Sequence, residues 1–176
     1  MTDDALVYDG WLKVFRRTVN GRTYDVLRPL SAVAAWVTNG QGDVLLVRQF
    51  RPAVLRETWE IPAGVLDKQE LGPAGVLREE LLEEAGLEVP EDRMEEMLSY
   101  VPQIGHNDSR LTLYRIRLEG TPQIPLLEDD DVLEARWVPL KLVEEWINRG
   151  IVYDEKTLLA YYHQQAQRDR NLPAGR

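Results

Sequence analysis

Four carboxylates crowd into a six-residue stretch near the middle of the chain, Glu79-Glu80-Leu81-Leu82-Glu83-Glu84. At ~100° per residue, these four side chains fall within an arc of ~140° on a helical wheel. Like charges one helical turn apart repel each other by roughly a few tenths of a kcal/mol. A hard divalent cation, which prefers oxygen ligands, would turn that repulsion into a binding site. Taken alone, such a run is typical of a solvated Glu-rich surface helix, and a metal-binding helix is the alternative interpretation.

A glycine-containing loop with further acids lies directly before this stretch, Gly64-Val65-Leu66-Asp67-Lys68-Gln69-Glu70. After the loop, Pro73 suits a first helical turn, and Gly86 suits the left-handed position beyond the last turn. These two signals predict a helix over about 73–85. The combination of an acidic helix with an acid in the preceding loop favours the metal-binding interpretation.

Composition and charge limit the functions that this chain could have. Its 176 residues fit one domain with a small appended element, and the absence of cysteine excludes disulfides, thiolate metal sites and a cysteine nucleophile. No apolar run approaches the roughly 18 residues of a membrane span, and the first residues lack a secretory signal. A net charge of −9 without a basic run disfavours nucleic acid and anionic membranes as partners. We therefore expect a cytoplasmic protein, and a phosphate-bearing substrate is compatible if a divalent cation bridges it to the acids.

Strand-like segments lie on both sides of the acidic helix. Near the amino terminus two short runs flank Asn20-Gly21, a pair typical of a tight hairpin turn. An isolated hairpin is barely stable, so this one needs the rest of the chain or a second copy to pack on. Helices are also predicted at about 140–149 and 154–168. Further strands are predicted at 32–37, 44–47, 97–101, 111–118 and 135–138.

This order of elements predicts an α+β fold, specifically an α/β/α sandwich around a mixed sheet. The predicted boundary divides an N-terminal antiparallel hairpin extension, residues 1–30, from a main domain over residues 31–170.

The glycine loop and the acidic helix together resemble the Nudix box. Gly64, Glu70 and the run Glu80-Leu81-Leu82-Glu83-Glu84-Ala85-Gly86-Leu87 match its positions. The flanks are similar to the branch of ADP-ribose and nucleotide-sugar pyrophosphatases, and the whole resemblance extends over about residues 6–165. It implies a Nudix fold. The similar flanking segments are Val47-Arg48-Gln49-Phe50-Arg51, Trp59-Glu60-Ile61-Pro62-Ala63-Gly64, Arg136-Trp137-Val138-Pro139-Leu140 and Asp154-Glu155-Lys156-Thr157-Leu158.

The box departs from the family pattern at one position. Glu79 stands where the family has an arginine that braces the catalytic carboxylates through charge-assisted hydrogen bonds. Arg78 lies one residue too early, and on the helical wheel it points ~190° away from the middle of the carboxylate arc. We therefore expect weaker preorganisation of the site, altered metal affinity, or another arginine, such as Arg51 or Arg110, in that role.

The resemblance implies a metal centre that binds Mg²⁺ or Mn²⁺. Its catalytic ligands would be Glu80, Glu83 and Glu84, together with the backbone carbonyl of Ala63. Such a cation neutralises the anionic pyrophosphate and orients an attacking water. The remaining matched positions would be structural parts of the box: Gly64, Glu70 and Gly86.

The general base and the substrate-binding residues would come from outside the helix. Glu128, in the acidic stretch 128–131, is the candidate for the base or for a further metal ligand, with a solvated turn as the alternative. Arg51 would bind a phosphate or the terminal group of the substrate, with a surface ion pair as the alternative. Gln49 lies on the same strand face, and Arg110 is the third candidate for substrate binding.

The predicted function is metal-dependent hydrolysis of the pyrophosphate link in a nucleoside diphosphate sugar such as ADP-ribose. The resemblance also implies a homodimer that the N-terminal hairpin helps to form. Two alternatives stay open. One is a nucleotide-binding or sensor protein that no longer turns over, which the displaced arginine favours, whereas the retained acids favour an enzyme. The other is a hydrolase of nucleoside triphosphates or dinucleoside polyphosphates, which the flanking segments disfavour.

Overall fold

A computed structural model describes residues 4–68, 70–125 and 132–171 of this chain. The predicted base Glu128 lies outside these ranges. The strands are β1 (Asp4–Asp9), β2 (Lys13–Val19), β3 (Arg22–Arg28), β4 (Ala32–Thr38), β5 (Val44–Arg51), β6 (Arg56–Glu60), β7 (Ala63–Val65), β8 (Glu95–Tyr100), β9 (Leu111–Arg117) and β10 (Val132–Val138). The α-helices are α1 (Pro73–Ala85), α2 (Leu140–Asn148) and α3 (Glu155–Asn171).

The first three strands form an antiparallel sheet of their own, in the order β1-β2-β3. The predicted hairpin is confirmed as β2 and β3. At its turn, Asn20 and Gly21 have positive φ angles of 52° and 76°, as a primed two-residue turn requires. Strand β1 pairs with β2 and widens the hairpin into a three-stranded sheet.

Ion pairs and a backbone hydrogen bond attach this N-terminal sheet to the loop between β8 and β9. Arg28 Nη2 lies 2.7 Å from Asp108 Oδ2, and the guanidinium groups of Arg17 and Arg28 share the carboxylate of Asp4. The backbone N–H of Leu27 donates to the carbonyl oxygen of a loop residue, at 2.7 Å. These polar contacts hold the sheet to the main domain.

The other seven strands form one mixed sheet in the order β10-β5-β4-β9-β8, with β6 paired to β5 and β7 paired to β4. Strands β4 and β9 run parallel, and the remaining pairs are antiparallel. Strand β5 continues through Arg51 because β6 and β10 pair along its two edges. Gln49 and Arg51 are thus held on a rigid strand.

Alternating residues of β4 supply the two halves of the hydrophobic core, because successive side chains of a strand point to opposite faces. Val33, Ala35 and Val37 pack with residues of α1, whereas Ala34 and Trp36 pack with residues of α2 and α3. Helices therefore cover both faces of the mixed sheet. The predicted α/β/α sandwich and the Nudix fold are confirmed.

Helix α1 has the predicted bounds. It begins at Pro73 and ends before Gly86, whose φ of 62° is left-handed and whose N–H donates to the carbonyl of Leu82. Leu77 and Leu81 are fully buried, so this face fixes the helix against the sheet. Across the described ranges, no helix is both long and apolar enough to cross a membrane.

Candidate active site

A cavity of about 520 Å³ lies between the end of β5, strand β7 and helix α1. It brings together six residues that the sequence nominated from separate segments. Because β5 and β7 flank β4 in one sheet and α1 packs beneath it, the fold carries these residues to one place. The six are Gln49, Arg51, Ala63, Gly64, Glu80 and Glu84.

Glu84 is the most buried carboxylate on this helix, with 6% of its surface exposed. Gln49 Nε2 donates to its Oε1 at 3.0 Å, and the backbone N–H of Ala63 donates to its Oε2 at 3.1 Å. Burial raises the pKa of Glu84 to about 8, against the lowering effect of the Ala63 hydrogen bond, and the neighbouring Glu80 carboxylate raises it further. A cation in the cavity would favour the ionised form of Glu84.

Glu80 lies directly against the glycine of the loop. A Cβ atom at Gly64 would come within 2.1 Å of the Oε1 atom of Glu80. Any larger residue at position 64 would therefore displace this carboxylate. The glycine is needed here for close approach rather than for an unusual backbone angle.

Two cations also line the cavity, and both are held by one buried carboxylate. Arg51 donates two hydrogen bonds to Glu60, at 2.8 and 2.6 Å, and Lys156 Nζ donates to Glu60 Oε2 at 2.5 Å. Burial raises the pKa of Glu60, but the hydrogen bond from Arg51 and the charge of Lys156 outweigh it and lower the pKa to about 2. Glu60 is therefore ionised and fixes both cations at the cavity wall.

Lys156 and Glu60 are site residues that the sequence did not single out. Lys156 belongs to the first turn of α3, where Asp154 also accepts a hydrogen bond from it at 3.0 Å. Both residues do lie in flanking segments that resemble the family, and that resemblance is the signal that could have identified them.

Other nominated residues lie outside this cavity. The Glu83 side chain is 58% exposed and faces Lys68 rather than the cavity. Arg110 and Glu70 are exposed, and neither belongs to the cavity lining. The roles of these residues and of Glu128 therefore stay predictions.

The carboxylates that line the cavity fit a divalent cation whose ligands come partly from the protein and partly from the substrate. Among the described residues, no three histidine or acidic side chains are grouped closely enough to form a protein metal cage. Mg²⁺ does not need one, because it commonly binds one or two carboxylates together with water and substrate phosphates. Glu80 and Glu84 supply such a pair, because both line the same cavity and lie one helical turn apart.

Comparison with known proteins agrees with this geometry. The NUDIX domain model matches residues 28–161. The methanol dehydrogenase activator of Bacillus methanolicus is 30% identical over 151 residues, which cover 84% of this chain and 80% of the relative. The ADP-ribose pyrophosphatase of Bacillus subtilis (strain 168) is 28% identical over 142 residues, which cover 80% of this chain and 75% of the relative. The ADP-ribose pyrophosphatase of Mycobacterium tuberculosis (strain ATCC 25618 / H37Rv) is 29% identical over 131 residues, which cover 73% of this chain and 61% of the relative. The chain therefore belongs to the Nudix family, and it is a Nudix pyrophosphohydrolase of the branch that includes these two pyrophosphatases.

Proposed function

We propose that this chain hydrolyses the pyrophosphate link of a nucleoside diphosphate sugar such as ADP-ribose, with Mg²⁺ or Mn²⁺ as its cofactor. The observation that carries the proposal is the charge pattern of the cavity, where the carboxylates of Glu80 and Glu84 and the cations of Arg51 and Lys156 line one space. An anionic diphosphate bound through a divalent cation is complementary to both groups. Two relatives are named as ADP-ribose pyrophosphatases, which supports this substrate class.

The residues of the chain have separate tasks in this mechanism. Arg51 binds a phosphate as a fork-shaped donor, and Lys156 adds a compact positive charge. Because Glu60 already holds both cations, they need little reorganisation when the substrate binds. Gln49 and the Ala63 N–H orient the Glu84 carboxylate.

The proposed metal ligands include residues beyond the two carboxylates that line the cavity. Glu80 and Glu84 are its core, and the family resemblance adds Glu83 and the carbonyl of Ala63. When bound, the cation would supply charge neutralisation and would make a coordinated water more acidic. We propose Glu128 as the general base for the attacking water, because an acidic stretch after the box has this role in the family.

A second cavity, of about 380 Å³, adjoins the first and supports a two-part substrate. Both cavities are lined by Arg51, Leu111 and Lys156. The second adds apolar walls from Val54 and Pro102. A diphosphate in the first cavity would therefore place one of its two organic groups within reach of the second.

A release assay tests this function. Purified protein is incubated with ADP-ribose, other nucleoside diphosphate sugars, dinucleotides and nucleoside triphosphates, each with Mg²⁺ or Mn²⁺. We expect AMP and ribose 5-phosphate from ADP-ribose, and no release in excess chelator. Preferential hydrolysis of triphosphates would contradict the substrate class. Binding of nucleotides without turnover of any substrate would instead support the sensor alternative.

A second candidate function is activation of a dehydrogenase, because one relative is named as a methanol dehydrogenase activator and matches 84% of this chain. Adding the chain to a purified methanol dehydrogenase tests it. An increased rate with wild-type protein but not with Glu84→Gln would show that hydrolysis at the described site causes the activation. An unchanged rate would contradict this candidate.

We also propose that the N-terminal region, residues 1–30, joins two copies of the chain. The β1-β2-β3 sheet and its turns expose several large apolar side chains that a partner would cover, and Trp11 is 93% exposed. Light scattering after size exclusion should give twice the monomer mass of 20.3 kDa at micromolar concentration. Trp11→Ser should shift the equilibrium towards monomer, and a wild-type monomer would contradict the proposal. The exposed side chains are Leu6, Val7, Tyr8, Trp11, Leu12, Val19 and Tyr24.

A further inference from the structure

One loop lysine contacts the acidic helix at the position where the family arginine is missing. Lys68 Nζ donates to Glu79 Oε2 at 2.5 Å and lies 3.8 Å from Glu83 Oε1. The hydrogen bond to Glu79 raises the pKa of Lys68 against partial burial, and the charges of Glu79, Glu83 and Glu80 raise it further. A single ammonium group therefore lies within ion-pair distance of two of the four carboxylates of this helix.

The arginines that could have taken this role lie elsewhere. Arg78 points away from the helix carboxylates, as the helical wheel predicted. It pairs with Glu91 instead, with 3.4 Å between Nη1 and Oε1. Arg51 pairs with Glu60. Arg110 is exposed and pairs with none of the helix carboxylates in the described part of the chain. Lys68 thus meets the charge of the helix on the side where Glu79 and Glu83 lie.

We propose that Lys68 is the positioning cation of this Nudix box, and that its ion pair with Glu79 braces the loop against the helix. The charges of loop and helix are reversed relative to the family pattern. The family pattern places the cation on the helix, at position 79, whereas here the helix supplies a carboxylate and the loop supplies the cation. The first acid of the box, Glu70, is exposed and has no ion pair with another described residue. This inference rests on the proposed metal-dependent function.

The brace affects the metal site through two connections. Lys68 offsets the repulsion between Glu79 and Glu83, which lie one helical turn apart, so that Glu83, a proposed metal ligand, need not move away from Glu79. It also fixes the loop that begins at Gly64, whose backbone approaches Glu80 too closely to admit a Cβ atom. Lys68 does not line the cavity, so it acts by positioning rather than by touching the substrate.

A charge-exchange cycle tests this role by measuring Mn²⁺ binding without substrate. The Lys68→Glu variant should bind Mn²⁺ about 10-fold more weakly, as is common for residues that support metal ligands. The double variant Lys68→Glu/Glu79→Arg should restore binding to within about 3-fold of wild type, because the brace is rebuilt with opposite charges. Lys68→Arg should bind like wild type. Lys141→Glu, which reverses an exposed charge on α2, is the matched control and should also bind like wild type.

The outcomes separate this inference from the proposed substrate. Because the Lys68–Glu79 pair is partly exposed, it contributes little to global stability, and the melting temperatures of all variants should stay close to that of wild type. Wild-type affinity in Lys68→Glu, or a double variant as weak as Lys68→Glu, would overturn the inference. Weakened Mn²⁺ binding that the double variant restores would support it even if ADP-ribose were not hydrolysed. A wild-type chain that binds no Mn²⁺ would overturn this inference and the proposed cofactor together.

Discussion

Replacing Glu84 with Gln should reduce hydrolysis by about 10²–10⁴-fold while making the metal-free protein less sensitive to pH. The amide retains the shape of the side chain, and its single oxygen can still accept the hydrogen bond from the Ala63 N–H. Its NH2 group then faces Gln49, whose own amide can turn over to accept instead of donate. The amide at position 84 cannot carry the negative charge that a divalent cation requires of its ligands. Activity should therefore fall without loss of the fold. Glu144→Gln, which changes an exposed carboxylate on α2, should be fully active.

The pH dependence of stability follows from the raised pKa of Glu84. Its pKa is about 8 in the folded protein and 4.5 ordinarily, so between these values the folded state holds a proton that the unfolded state releases. The free energy of unfolding should therefore fall as pH rises through this window, by up to about 5 kcal/mol at 1.36 kcal/mol per pKa unit. Urea unfolding of wild type and Glu84→Gln at pH 5 and pH 8, in chelator, measures the difference. An equal decrease in both proteins would contradict the assignment.

Replacing Glu60 with Gln should destabilise the protein by about 3–5 kcal/mol, because it removes the shared anion of a buried ion cluster. Arg51 would lose its ion pair, and Lys156 would keep only Asp154. The same variant should also raise KM, since these two cations would no longer be held at the cavity wall. Chemical denaturation at neutral pH and steady-state kinetics measure the two effects.

Glu57→Gln is the matched control for Glu60 because both residues lie on β6. Glu57 pairs with Arg48 at the surface, and its side chain is 51% exposed. Such a pair contributes less than about 1 kcal/mol, so this control should remain stable and active. If Glu60→Gln were as stable as Glu57→Gln, the buried cluster could not be the support that we describe.

The elements that the sequence predicts best are those whose signals are local. Pro73 and Gly86 mark both ends of α1, and Asn20-Gly21 marks the hairpin turn. Proline fixes its own φ angle, whereas asparagine and glycine tolerate the positive φ angles found at Asn20, Gly21 and Gly86. The charged end of β5 was harder to predict. Arg48 and Arg51 suggest the end of a strand, but β6, the next strand along the chain, pairs with β5 as far as Arg51. The distant strand β10 pairs with β5 as far as Gln49.

The site divides in the same way. Glu80 and Glu84 follow from helical spacing, whereas the Lys156–Glu60 contact joins residues 96 positions apart and leaves no local pattern. Lys68 is near the helix in sequence, but whether its side chain reaches Glu79 depends on the path of the intervening loop. For this reason the sequence indicated Arg51 or Arg110 as the replacement for the missing arginine, whereas a lysine makes the contact with Glu79.

Metal-dependent hydrolysis of ADP-ribose by the Glu80→Gln variant tests most directly whether the carboxylates of α1 form the catalytic metal site. The assay compares AMP release by wild type, Glu80→Gln and the control Glu144→Gln over a range of Mg²⁺ and Mn²⁺ concentrations. We predict that wild type and Glu144→Gln require the cation and release AMP at equal rates, and that Glu80→Gln loses at least about 100-fold in kcat. Turnover by Glu80→Gln at the wild-type rate, or turnover by wild type in excess chelator, would contradict this assignment.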